Sequence, residues 1–302
     1  MTQHVNTLLT VYDEDLNRLR HRIGKDRSEN TFRAMNMGRT YVSCFLKEKY
    51  LMQDIAMECL TPQFIRDFSV FLSADKGLHG GTVWLSCQQL KGVVTRAYWR
   101  GIITWNPFAG FHIAKNIRPR EFLTEEELER LMTHQFDKPQ LSYARDIFVF
   151  AAFTGLSFID LKELSMADVK DINGSTWIVS QRHKTKVPYQ VKLLDIPLHI
   201  LHRYQKPDEE KVFPHMEYRM MAKRILKIMD EIGVKKHITM HCARHSFAVL
   251  ALTNGMPIES VSRILGHTNI TTTQIYAKIT MQKLDADMND LEKHLQGLND
   301  NF

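Results

Sequence analysis

His241-Cys242-Ala243-Arg244-His245-Ser246-Phe247-Ala248, then Leu265-Gly266-His267, then Thr271-Thr272-Thr273 and Tyr276 make up the stretch on which the reading of this chain turns. His241 and Arg244 stand three residues apart, hence on one helical face, where both can point at the same oxyanion. Pro257 to Gly266 reads as a helix with a proline near its start and a glycine stop, which leaves His267 just past its C-terminus. The threonines can cap the turn that carries Tyr276. Taken singly, each piece is ordinary: a surface His/Arg pair, a loop histidine interacting with a helix dipole, a core tyrosine. Their order and combination are not.

Working outward, helical periodicity marks Thr7–Gly24, Thr31–Lys49, Thr61–Ser73 and Gly81–Arg100. Thr61-Pro62 resembles an N-cap followed by proline at the first helical position. No stretch before residue 115 alternates as a half-buried strand should, so residues 1–115 read as a small all-helical domain ending near Asn106-Pro107-Phe108. Residues 116–122 form a linker. Within Lys115–Arg120 the basic, extended segment either tracks a phosphate backbone or is simply solvated. A second domain, residues 123–302, opens with Thr124 and Glu127 in a capping box. Helices follow at Tyr143–Thr154 and Phe158–Leu164. Thr176–Ser180 and Val187–Val191 are two β-prone runs joined by a charged tip, which reads as a hairpin. Beyond Pro197 the pattern is helical, ending in a tail helix, 281–298, whose Met281, Leu284, Met288, Leu291 and Leu295 make an apolar seam. The fold class expected is mainly α with a small β-hairpin.

The bulk numbers agree without deciding. A chain of 302 residues suits two domains, and 40 Lys and Arg against 34 Asp and Glu give a net charge of +6, which favours a polyanionic partner. Four scattered cysteines form neither a C-x-x-C pair nor a disulfide framework, which fits a reducing cytoplasm. No apolar run approaches the roughly 20 residues that span a bilayer, so no membrane partner is expected.

The ordered set H-x-x-R-H-S-F-A, L-G-H, T-T-T and Tyr276 strongly resembles the C-terminal signature of the tyrosine recombinase and phage integrase family. Thr154-Gly155-Leu156, the hairpin lysine, and the helical domain with N-P-F before the linker extend the resemblance along the chain. It implies a two-domain, C-shaped clamp on duplex DNA. It also implies that Tyr276 attacks the scissile phosphate to form a 3′-phosphotyrosyl intermediate, that Arg244 binds non-bridging oxygens, and that His241 assists proton transfer. His267 would donate a hydrogen bond to the phosphorane, and Lys184 would protonate the departing 5′-oxygen. The residue types suit the chemistry. A phosphorane concentrates negative charge on its equatorial oxygens, where fixed cations and donors act most strongly. A free phenol is ionised in only about one molecule in a thousand at pH 7, so it needs a base or a positive field. The covalent bond conserves the energy of the broken one, so neither cofactor nor metal is called for.

One position departs from the pattern: after T-G-L the family carries an arginine, and here stands Ser157. A Bacteroides-type subgroup of integrases and invertases shows the same serine in T-G-L-S-(F/Y)-I-D. Serine cannot make the bidentate, charged contact of a guanidinium. Arg182, two residues before Lys184 and so on the same face of a strand, is a candidate to supply the charge; contact with the DNA backbone alone is the alternative. Asp160 either orients an active-site arginine or caps locally. Arg18, Arg22, Lys91, Arg96, Arg100, Lys115 and Arg118 are candidate phosphate contacts. The resemblance implies double-stranded DNA at inverted or direct repeats as partner, a homotetramer at synapsis, accessory DNA-bending proteins as optional helpers, and a cytoplasmic, nucleoid-associated location. The tail docks on a neighbouring protomer or on its own domain. A length that leaves no room for a further arm-binding domain favours DNA inversion of the phase-variation kind. Integration or excision of a mobile element is the alternative, and a catalytically degenerate DNA-binding regulator is the rival from another class.

Overall fold

Leu8, Val11, Tyr12, Asp15 and Leu16 recur at spacings of three and four, and this is the face that α1 (Leu8–Arg20) buries. α2 (Glu29–Lys49) starts where the Ser28 hydroxyl accepts the Thr31 N–H at 3.2 Å. α3 (Pro62–Val70) starts at the expected Thr61-Pro62 cap, and α4 (Gly80–Trp99) completes the set. Phe45 is the hub: its ring lies 5.2–5.4 Å from those of Tyr50, Phe64, Phe68 and Phe71. Asn106 accepts the Phe108 N–H at 2.9 Å and donates to Thr95, which turns the chain so that Phe108 is fully buried beside Phe64. The N-P-F run thereby closes the base of this unit. The chain divides into two units, Met1–Pro119 and Arg120–Phe302. The computed structural model describes residues 6–114, 121–206, 208–214 and 216–277, together with 285, 288–293 and 295.

In the second unit the capping box forms as expected: Thr124 accepts from the Glu127 N–H while Glu127 accepts from the Thr124 N–H at 2.8 Å, and α5 (Glu125–Thr133) follows. α6 (Pro139–Thr154) is apolar around most of its circumference, with Ala144, Ile147, Phe148, Val149, Phe150 and Ala151 buried, because neighbours cover it on several sides. α7 (Phe158–Glu163) leads into an antiparallel sheet of three strands, β1 (Val169–Ile172), β2 (Ser175–Gln181) and β3 (Pro188–Lys192), in the order β1-β2-β3. The expected two-stranded hairpin is β2 and β3. β1 is an addition, pairing Val169 with Ile178 and joined to β2 by Asn173-Gly174, both left-handed at φ 53° and 72°. Only a residue pair tolerant of that conformation makes such a two-residue turn. α8 (Asp195–Tyr204), α9 (Tyr218–Glu231), α10 (Met240–Thr253), α11 (Ile258–Leu265) and α12 (Thr271–Ala277) complete the order. The architecture is thus mostly helical with one small sheet. Of the tail, residues 288–293 are helical, and Met288, Leu291 and Leu295 are 57%, 49% and 42% exposed. Met281 and Leu284 lie outside the described residues.

Candidate active site

Two glycines in the left-handed conformation shape the site. Gly155 (φ 68°) ends α6, and a Cβ there would stand 2.7 Å from the Phe247 ring. Its carbonyl accepts Arg244 Nη1 at 2.7 Å. Gly266 (φ 60°) ends α11 in a Schellman turn, with the His267 N–H returning to the Ser262 carbonyl at 3.0 Å. The last two carbonyls of α11 are left facing two cations: Ile264 accepts Arg182 Nη2 at 2.6 Å, and Leu265 accepts Arg244 Nη2. A helix C-terminus carries partial negative charge, and here it draws both guanidiniums to one place. A Cβ on Gly266 would lie 2.9 Å from Arg182 Cγ and Nε, so this glycine is needed for space as well as for conformation.

Ser157 caps α7 and donates to Asp160 Oδ2 at 2.7 Å. Asp160 in turn accepts Arg182 Nη1 at 2.8 Å and the His183 N–H at 2.9 Å. Burial alone would raise the Asp160 pKa, but the His183 N–H, the Ser157 hydroxyl and Arg182 together hold it below the usual carboxylate value. Asp160 therefore contacts both of the partners its two expected roles call for, the guanidinium of Arg182 and the local turn at Ser157. Arg182 and Arg244 are only 5% and 9% exposed, and the charge of Arg182 disfavours that of Arg244. Burial, then Arg182, lower Arg244 to about 10, while Tyr276 and Asp160 pull the other way.

His267 is half-buried, with Nδ1 2.8 Å from the hydroxyl of fully buried Thr273. Burial first, then Arg244, Arg182 and His241, lower its pKa to about 4. His241 is exposed at the start of α10, and its ring meets that of His245 edge-on at 4.6 Å. The Tyr276 hydroxyl, brought in by α12, hydrogen-bonds His245 Nδ1 in the interior. The structure therefore gathers Tyr276, Arg244, Arg182, His267 and His241. It also brings in His245, beside Tyr276, and Thr273, beside His267. His245 was legible as the i+4 partner of His241 on the same helical face.

One other expectation needs correction. Arg182 and Lys184 do not share a strand face, because β2 ends at Gln181 and the chain turns through His183–Thr185. Arg182 points inward, and Lys184 is exposed without a hydrogen bond or ion pair to the described residues. In the N-terminal unit, Lys91 is bound to the Ala109 and Phe111 carbonyls, Arg96 to buried Asp15 at 2.7 Å, and Arg100 to Glu14 at 2.5 Å. These three brace their own domain, since a cation near a carbonyl or carboxylate of the same fold satisfies it there. Arg18 is exposed near Glu14 and Asp15, Arg22 forms an exposed pair with Asp26, and Lys115 and Arg118 lie outside the described residues.

The phage integrase family model matches residues 121–283, and the phage integrase SAM-like domain model matches residues 7–116. The chain belongs to the phage integrase family. Within that family it is 28% identical over 225 residues to the tyrosine recombinase XerC of Vibrio vulnificus, covering 71% of each chain. It is 26% identical over 237 residues to XerC of Lactobacillus leichmannii, covering 74% of this chain and 80% of that one. Membership makes it a tyrosine-type, site-specific DNA recombinase. The fold is that of the Tn1549 transposon integrase in complex with a circular intermediate DNA (TM-score 0.72, 19% identity, 94% and 99% of the two chains). It is also that of the XerH recombinase bound to difH (TM-score 0.70, 15% identity, 95% and 97%).

Proposed function

We propose that Tyr276 is the nucleophile of strand cleavage and that Arg182 takes the place of the arginine the family carries at position 157. The observation behind this is the buried pair Arg182 and Arg244 on consecutive carbonyls of α11, next to the phenol and, among the described residues, with Asp160 alone as a fixed counter-charge in contact. Burying one cation costs several kcal/mol, and burying two together costs more unless an anion joins them. A DNA phosphate is such an anion, and the phosphorane formed from it carries still more charge. His267 is neutral at pH 7 by its lowered pKa. Nδ1 pairs with the Thr273 hydroxyl, and in the tautomer in which Thr273 donates, the ring keeps its proton on Nε2 and can donate it to a phosphorane oxygen. Lys184 is the acid for the 5′-oxygen, carried to it by the hairpin tip when DNA binds.

The partner is double-stranded DNA at repeated sites in a cytoplasmic setting, with four copies at synapsis. The exposed apolar side chains of the tail support docking on a neighbouring protomer. Inversion is the first reading and integration or excision of a mobile element the alternative, since the serine of T-G-L-S-F-I-D at 154–160 occurs in integrases and invertases alike. A trapping experiment tests the reading. The purified chain is incubated with sheared, randomly nicked genomic duplex of its source, the mixture is denatured, and protein-linked DNA is collected and sequenced. A linked, recurring site is expected for the wild type and none for Tyr276→Phe. Inverted copies of that site would mean inversion, direct copies excision. Absence of linked DNA, or its persistence in Tyr276→Phe, would sink the proposal.

A further inference from the structure

The Tyr276 phenol shares a hydrogen bond with Nδ1 of His245, four residues beyond His241 on the same face of α10, in a buried contact between α10 and α12. We infer that His245 is a further catalytic residue, the base that takes the proton of Tyr276; this rests on the reading of Tyr276 as nucleophile. The geometry meets the first requirement of a general base, direct hydrogen-bond contact with the proton it removes. The rings lie 5.2 Å apart at 50°, an arrangement that packing fixes: both residues are under 10% exposed, at 4% and 8%. His241 touches the far partner of this pair, ring to ring, and bears on His267 electrostatically, which fits a role at the phosphate rather than at the phenol.

The step balances. The Tyr276 O–H bond breaks, and its proton passes to neutral His245 at Nδ1. The phenolic oxygen forms the bond to phosphorus, the bond from phosphorus to the 5′-oxygen breaks, and that oxygen takes a proton from Lys184. In rejoining, the 5′-hydroxyl attacks phosphorus and gives its proton back to Lys184, the bond between phosphorus and the phenolic oxygen breaks, and the imidazolium of His245 returns the proton to the phenol. Arg244 lies close enough for the charge developing on the phenol to stabilise its own, so loss of the proton happens in a favourable field.

The test uses the site recovered by trapping, as a duplex nicked beside the cleavage position, and the single-turnover rate of adduct formation. His245→Asn keeps an acceptor near the place of Nδ1 yet cannot hold the proton, so a fall of about a hundredfold or more is expected with DNA affinity and melting unchanged. Incorporating 3,5-difluorotyrosine at position 276, whose phenol is more acidic, should restore most of the rate in His245→Asn. An unslowed His245→Asn would overturn the inference, because an acceptor alone would then suffice. So would a slow variant that the acidic phenol leaves unrescued, since His245 would then only seat the ring, or a rescue confined to His241→Asn. Failure of the wild type to form the adduct, or its formation by Tyr276→Phe, would instead remove the nucleophile itself.

Discussion

At residue scale the site is held by backbone carbonyls, and this decides which substitutions matter. Arg182 bonds Asp160 and the Ile264 carbonyl through different guanidinium nitrogens, a fork that an ammonium cannot copy. Arg182→Lys is therefore expected to lower single-turnover cleavage by about two to three orders of magnitude. DNA affinity should change far less, and filter binding beside adduct formation checks the difference. If only affinity falls, Arg182 contacts the backbone and nothing more. His267 offers a test in stability. Its folded pKa of about 4 lies below the unfolded value of 6.5, so above pH 6.5 it contributes nothing. As pH drops from 6.5 towards 4 the unfolded chain takes up a proton that the folded one refuses, and stability declines. Below 4 the penalty is complete and constant. The melting temperature of His267→Gln should accordingly fall less than that of the wild type between pH 7 and 4.5.

At the scale of elements, the sheet matters because it delivers Arg182. β2 runs from the Asn173-Gly174 turn to Gln181, and Arg182 is the next residue. Asn173 at φ 53° tolerates the left-handed region, whereas a β-branched residue does not. Asn173→Val should cost about 1–2 kcal/mol in urea unfolding. The helix ends are equally specific. α6 and α11 each stop on a glycine, and the carbonyls at these two helix ends, of Gly155 and Leu265, both hold Arg244, so helix termination and the placing of this guanidinium are coupled.

At the scale of the whole molecule, the described part of the tail presents exposed apolar side chains. Met288, Leu291 and Leu295 are exposed on residues that are helical, and such a face gains when another apolar surface meets it. Removing residues 281–302 should leave the monomer's melting temperature near that of the full chain while abolishing synaptic complexes on DNA, measured by scanning calorimetry and by gel mobility with two sites. A large fall in melting temperature would show instead that the tail packs on its own domain.

Local rules were enough for much of this protein. The Thr61-Pro62 start, the Thr124 and Glu127 capping box, the glycine stop at 266 and the buried face of α1 each depend on residues within a few positions of one another, so chemistry and spacing determine them. His241, Arg244, His267 and Tyr276 were legible through the ordered combination of their motifs and its resemblance to a known family, since each motif taken singly is ordinary. Whether Arg182 or Lys184 turns inward was not, since it depends on Asp160, 22 residues from Arg182 in sequence, and on Ile264, 82 residues away. The pairing of Tyr276 with His245 spans 31 residues and two helices. Contacts of that range are fixed by how α7, α10, α11 and α12 pack, and packing is a property of all their buried side chains at once.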